Sequence, residues 1–428
     1  MRILITGATG LIGSSLSARL KSDGHDITGL ARSAPKTRLH HDRFIEADIS
    51  KLVQASDWHA YLDGQDAVIN CAGVLQDSPW DSASGVHAEG AAALFKACET
   101  LGVRRVIHFS AIGVDRGSLS TFSGTKLAGD EALTALDLDW VILRPSVVLG
   151  RPAFGGSALF RGLASFPVLP VPSAAGPLQV VRLEDLVETV RFFLDEEAPA
   201  RIAVDLAGPE RLPFAAVVQT YRRWLGFGEA KVVRLPPWAG AVMYRLGDLV
   251  GLLGWRTPIR SNARREIMRG AVGDNSAWIG MMGRAPRSLG HALAAEPASV
   301  QEKWFARLYS LKPLVIGVFA LFWIATGLIS LGPGWEVGME LMREGGVAEI
   351  GPLLILAGAT ADIAIGLGIA FRRTARIALW AALGLSVVYV ILGTLLVPRL
   401  WADPLGPMLK IWPVMALNLV ALAILDDR

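Results

Sequence analysis

Cysteine is nearly absent from this 428-residue chain: Cys71 and Cys98 are the only two. They imply no disulfide framework, and a reducing compartment fits. No basic tract occurs, and no interleaving of aromatic with basic residues. With a net charge of only +3, nucleic acid is not an expected partner. No His/Cys/Asp grouping has metal-ligand spacing, so no metal is expected, and His40 and His41 read as a surface pair. The first apolar stretch is a short strand broken by glycines, unlike the helical core of a signal peptide. Tyrosine occurs at Tyr61, Tyr221, Tyr244, Tyr309 and Tyr389, with none between Tyr61 and Tyr221.

What the chain does have begins at once. The apolar run Ile3-Leu4-Ile5 leads into Gly7-Ala8-Thr9-Gly10-Leu11-Ile12-Gly13. A strand, a glycine-rich turn and a helix start follow in the order that cradles a dinucleotide. The glycines permit a tight turn, close approach of backbone to pyrophosphate, and close helix–strand packing. Free N–H groups at the helix start then face the phosphate charge. Strands are expected at 2–6, 26–31, 43–47, 67–70, 103–110 and 140–144. Their continuous apolar character suits a parallel sheet buried on both faces. The expected fold is α/β, a Rossmann doubly wound sheet, with residues 146 to 235 forming a smaller substrate lobe over the strand ends.

From Pro313 onward the composition changes. Four apolar stretches, 314–331, 353–371, 377–397 and 409–425, approach the ~20 residues that cross a bilayer, the last interrupted by Lys410 and Pro413. Three domains are therefore expected: 1–235, nucleotide-binding with its substrate lobe; 236–311, a helical extension and linker; and 312–428, an all-α four-helix transmembrane domain. Val300, Trp304, Leu308 and Leu311 share a helical face, which reads either as a helix lying on the membrane or as one packing into a core. Lys303, Arg307 and Lys312 precede the first span, and Arg372, Arg373 and Arg376 join the second to the third. These basic residues predict a multi-pass inner- or cell-membrane protein, in contact with lipid, with its N-terminal domain and C-terminus cytoplasmic. Asp362 lies midway along the second span. It reads as a site for a proton or a quinone headgroup, or as a hydrogen bond that fixes helix packing. Thr326, Tyr389 and Asn418 are its candidate neighbours by depth.

The cofactor residues follow from the strand ends. Arg32 ends the second strand, where an acidic residue would bind the ribose hydroxyl of NAD. A guanidinium there suits a 2′-phosphate and favours NADP(H), with NAD(H) second, although a solvated surface residue would look the same. Asp48 and Ile49 are placed to meet the adenine edge. Cys71, Ala72 and Gly73 follow the fourth strand, where small residues let a cofactor lie close.

Gly7-x-x-Gly10-x-x-Gly13, Asp48, Asn70-x-Ala72-Gly73, Ser110, Lys126 and Arg144-Pro145-Ser146 together resemble the short-chain dehydrogenase/reductase superfamily. The segment Thr125-Lys126-Leu127-Ala128-Gly129-Asp130-Glu131 looks closest to its atypical branch, which includes the NADPH-binding accessory subunit of respiratory complex I. Val181-Arg182-Leu183-Glu184-Asp185 resembles the return segment of extended members. The C-terminal spans resemble the DoxX-like membrane family, some of whose members are associated with quinone-linked oxidation. The resemblance implies that Gly7, Thr9, Gly10, Leu11, Ile12, Gly13, Arg32, Asp48, Ile49, Cys71, Ala72, Gly73, Lys126 and Pro145 bind cofactor, and that Ser110 and Lys126 carry chemistry. One departure stands out. The superfamily's catalytic motif is Tyr-x-x-x-Lys, and here Phe122 precedes Lys126 by four. A phenyl ring cannot donate a proton. Two readings follow: an oxidoreductase that passes hydride to a lipophilic acceptor such as a quinone, or a non-catalytic NADPH-binding structural, assembly or redox-sensing protein of a respiratory or other membrane complex.

Overall fold

The computed structural model describes residues 1–35, 39–75, 77, 81–117, 120–172, 174–255 and 257–426. The chain divides into two compact units, Met1–Asp248 with Thr257–Lys303, and Leu249–Arg256 with Trp304–Arg428.

The strands are β1 (Arg2–Thr6), β2 (Asp26–Ala31), β3 (Arg43–Glu46), β4 (Ala67–Asn70), β5 (Arg105–Phe109), β6 (Asp139–Pro145), β7 (Val147–Leu149), β8 (Val168–Pro172), β9 (Val180–Arg182), β10 (Ile202–Leu206) and β11 (Lys231–Leu235). Helices α1 (Leu11–Ser22), α2 (His59–Leu62), α3 (Gly90–Leu101), α4 (Thr121–Thr134), α5 (Gly155–Ala164), α6 (Leu183–Phe193) and α7 (Phe214–Trp224) alternate with them. Then come α8 (Pro237–Leu252), α9 (Ser261–Arg269), α10 (Ser276–Met282) and α11 (Leu289–Ala294).

Seven strands form one parallel sheet in the order β10-β6-β5-β4-β1-β2-β3. Successive side chains in a strand point to opposite faces. Ile3, Ile5, Ile27, Ile69 and Ile107 accordingly pack with Leu16 and Leu20 of α1 and Val190 and Phe193 of α6. Leu4, Leu30, Val68, Val106 and Ile142 pack on the other face with Leu94 and Phe95 of α3. Burial on both faces is what the unbroken apolar runs predict. One expectation needs correcting. Ile202–Leu206, read as part of the outer lobe, returns to the main sheet as an edge strand beside β6. Edge position leaves this strand half-exposed, so its sequence lacks a full apolar run. The lobe itself holds two short parallel ladders, β7 with β9 and β8 with β11.

The second unit contains most of α12 (Val300–Leu331), then α13 (Trp335–Glu344), α14 (Gly351–Ala370), α15 (Ala375–Leu396) and α16 (Pro407–Ala423). α12, α14 and α15 are long and apolar enough to cross a membrane, and α16 is a shorter apolar helix of 17 residues. The stretch 300–311, expected as a separate linker helix, is continuous with the first span, and Pro313 lies inside the joined helix. Small residues bring α12 and α14 into backbone contact: a Cβ on Gly327 would stand 2.5 Å from Ala359 O, and one on Gly366 2.8 Å from Ala320 O. Asp362 is buried and accepts a 2.8 Å hydrogen bond from the Tyr389 hydroxyl. Thr326 and Asn418 instead donate to the carbonyls of Phe322 and Leu379.

Candidate functional site

The glycine turn forms as the spacing predicts. Gly7 has φ +65°, and a Cβ there would lie 2.8 Å from Cys71 O and 2.9 Å from the Ala72 backbone. Only glycine meets both demands. The Gly10 N–H donates to Gly7 O at 2.8 Å and caps α1. A Cβ on Gly13 would stand 2.3 Å from Gly7 O, so α1 sits directly on the turn. Thr9 and Gly10, with Leu11 and Ile12 in the first turn of α1, are partly open to solvent. A helix start of this kind, with its backbone N–H groups and positive dipole end, suits an anion such as a dinucleotide pyrophosphate.

The flanking residues are ordered by their own bonds. Arg32 is ion-paired with Asp81 beyond the end of β2. Asp48 Oδ1 accepts from the Ser50 N–H (3.1 Å) and hydroxyl (2.8 Å), capping the short turn that begins at the buried Ile49. The Cys71 N–H donates to Thr6 O, joining the β4 exit to the β1 exit. Pro145, at the end of β6, accepts from the Ile112 N–H at 3.2 Å.

Lys126 lies near Gly73 and bonds the carbonyl of Phe109, the residue before Ser110. Ser110 follows β5, and its buried hydroxyl lies beside the Asp130 carboxyl. Lys126, on α4, donates to Phe109 O at 2.8 Å and to Ala72 O at 3.3 Å. Burial lowers its pKa to about 8. A Cβ on Gly73 would lie 3.5 Å from Lys126 Nζ and from His87 Nε2, so both side chains flank this stretch of backbone.

Two histidines complete the site, and sequence reasoning missed both. His87 Nε2 accepts from the Val74 N–H (3.0 Å), which leaves Nδ1–H to donate to Thr125 Oγ1 (2.9 Å); that hydroxyl donates in turn to Phe122 O (2.9 Å). Burial, reinforced by the Lys126 charge, pushes the His87 pKa down to about 2. His87 is therefore a neutral brace, not a proton donor replacing the phenol. Its ring meets the Phe122 ring edge-on, with centroids 5.5 Å apart. Beneath, Asn70 Oδ1 accepts from Thr6 Oγ1 (2.6 Å) and the Ala72 N–H (3.3 Å), so its amide faces His108 Nδ1 at 3.1 Å. His108 Nε2–H then points toward Asp130 Oδ1 at 3.5 Å, and Asp130 Oδ2 accepts from Arg144 at 3.1 Å. Asp130 had a readable signal: it lies four residues after Lys126, on the same helix face. The histidines and Glu266 had none. Glu266 of α9 accepts from the hydroxyls of Ser120 and Ser123 (2.9 Å to the latter) and pairs with Arg269 (2.7 Å), fastening α9 over the start of α4.

This arrangement can hold a dinucleotide along the glycine turn and brace its reactive end, but it has no phenol at position 122. The family described as NAD(P)H-binding matches residues 7–163, and the DoxX-like family matches residues 320–419. A UDP-glucose 4-epimerase of Mycolicibacterium smegmatis is 30% identical over 302 residues, covering 63% of this chain and 92% of that protein. The chain belongs to the short-chain dehydrogenase/reductase superfamily. It is an atypical, epimerase-like, NAD(P)-binding member with a DoxX-like domain at its C-terminal end. A ceramide reductase of Caulobacter vibrioides is 29% identical over 191 residues, 45% of this chain and 60% of that protein. The chain spans only 23% of the length of the first relatives it matches, among them an uncharacterized protein of Mycobacterium tuberculosis, 30% identical over 224 residues that make up 52% of this chain. The structure of Bordetella bronchiseptica WbmG in complex with NAD is similar at a TM-score of 0.53 and 18% identity, over 69% of this chain and 93% of that one; the likeness is one of fold. The apolar helices and DoxX-like domain make this superfamily member a membrane protein.

Proposed function

We propose that the chain is a membrane-anchored NAD(P)H-dependent oxidoreductase that passes hydride to a lipophilic acceptor, a quinone being the class that fits best. The carrying observation is the combination at the hydride end: Ser110 and Lys126 are retained, Lys126 beside Gly73, while Phe122 removes the phenol. A quinone needs little proton assistance, because reduction makes its ring aromatic. NAD(P)H, when bound, supplies the hydride. The Ser110 hydroxyl donates to the acceptor oxygen and orients it. The Lys126 ammonium, with its pKa lowered to about 8, delivers the proton that completes the hydroquinone and is recharged from solvent. The ceramide reductase among the relatives and the DoxX-like region support a lipophilic substrate. Arg32 supports NADP(H) over NAD(H). The basic residues flanking the spans support a cytoplasmic site.

Phe122 itself favours a second reading, an NADPH-binding protein that stabilises or senses within a membrane complex without turnover. Turnover by the full-length protein in detergent separates the two. The oxidoreductase consumes NADPH and a short-chain quinone in equal amounts. A protein that binds NADPH and leaves the quinone oxidised overturns the reading.

A further inference from the structure

The first unit holds a cavity of about 310 Å³ that the hydride site does not use. It lies among β7, β9, α5, α7 and α11. None of Gly7, Gly10, Gly13, Ser110, Phe122 or Lys126 borders it. Its size falls at the lower end of the ~300–1,000 Å³ usual for ligand pockets.

Its charges are unequally matched. Arg151, Arg161, Arg182 and Arg287 line it, with Glu184, Glu296 and Glu302. The acids are occupied: Arg182 lies 3.3 Å from Glu184 and 3.7 Å from Glu296, and Glu302 accepts from the Ser299 N–H at 2.8 Å and from its hydroxyl. Arg151, Arg161 and Arg287 form no close ion pair among the described residues; Glu302 acts on Arg161 and Asp185 on Arg287 only at longer range. Arg161 is 4% exposed, held by Gly150 O at 2.7 Å and packed 5.3 Å from the Trp224 ring centre, and its Nε–H has no acceptor within hydrogen-bond geometry among the described residues. Tyr221 is 0% exposed, and its hydroxyl lies beside the Arg161 guanidinium. Buried donors left unmade are costly. Guanidinium offers donors and no acceptor, and its fork matches a phosphate. Leu149, Leu289 and Leu293 supply an apolar wall.

We propose that this cavity is a second ligand site, which takes a phosphate monoester with a short apolar body, gripped by Arg151, Arg161 and Arg287. The proposal does not rest on hydride transfer and requires binding alongside NADPH. Two sources offer this chemistry, a soluble metabolite and the headgroup of a lipid monoester. The test is calorimetry on the full-length protein saturated with NADPH. One arm uses hexyl phosphate in a phosphate-free detergent, and the other uses nanodiscs with and without phosphatidic acid. Saturable binding is expected in one arm, weakened ~10-fold or more by Arg151→Ala combined with Arg287→Ala, as expected for loss of charge-assisted bonds. Both residues are exposed, so this variant should fold; Arg161→Gln should weaken binding further. The arm that responds identifies the source. The proposal is overturned by no saturable binding in either arm, by binding that the double variant leaves unchanged, or by binding that NADPH displaces.

Discussion

The two ends of the cofactor groove obey different constraints. At the phosphate end, backbone geometry does the work: a positive φ at Gly7 and contacts under 3 Å at Gly7 and Gly13 leave no room for a side chain. At the nicotinamide end, side chains do the work, and there Phe122 has lost its hydroxyl while Ser110, Lys126 and the braces His87 and Asp130 remain. The constraints at the two ends are thus separable: the backbone turn is kept whole while one side chain at the far end differs by a single oxygen atom from the superfamily's motif.

Restoring that oxygen gives the largest expected effect. Phe122→Tyr should raise reduction of a simple carbonyl substrate by ~10²–10⁴-fold, the usual worth of general acid help; NADPH oxidation with a panel of aldehydes reads this, and no gain would mean that the far end differs in more than one group. The phosphate end breaks next. Gly13→Val drives a side chain into Gly7 O and should weaken NAD(P)H binding ~100-fold or more, about 2.7 kcal/mol, while Ser110→Ala leaves it within a few-fold. Fluorescence titration, with circular dichroism as a check on folding, measures both. Arg32→Glu should shift the preference from NADPH toward NADH by ~10-fold or more, since charge-assisted bonds contribute ~1.5–3 kcal/mol; an unchanged ratio would leave Arg32 merely paired with Asp81.

The smallest effect is on stability. Lys126 holds its proton less firmly when folded, with a pKa of about 8 against 10.5 ordinarily. Between those values the unfolded chain binds more protons, so stability rises with pH across that window, by at most ~1.4 kcal/mol per unit. Thermal midpoints of the wild type and Lys126→Met should therefore diverge less at the alkaline end; parallel curves would contradict a buried ammonium.

Much of this was legible in the chain. The bounds of β1, β2 and β4 follow from apolar runs buried on both faces, and the glycine turn from its spacing. Ile202–Leu206 was not legible as a sheet strand, because an edge strand alternates instead of running apolar. The union of 300–311 with the first span was not legible either; the chain stays helical through Pro313. Ser110, Lys126 and Gly73 were readable because a motif orders them. His87, His108 and Glu266 belong to no motif and meet the site only through the fold, one from a turn before α3, one from β5 and one from α9.

The most direct measurement is a fluorescence titration of NADPH into the full-length protein in detergent, followed by a short-chain quinone in the same cuvette. The account predicts an enhanced cofactor signal that saturates and then decays catalytically once quinone is added. An enhanced signal that persists after quinone would contradict hydride transfer to that acceptor, and no enhancement at all would contradict the cradle itself.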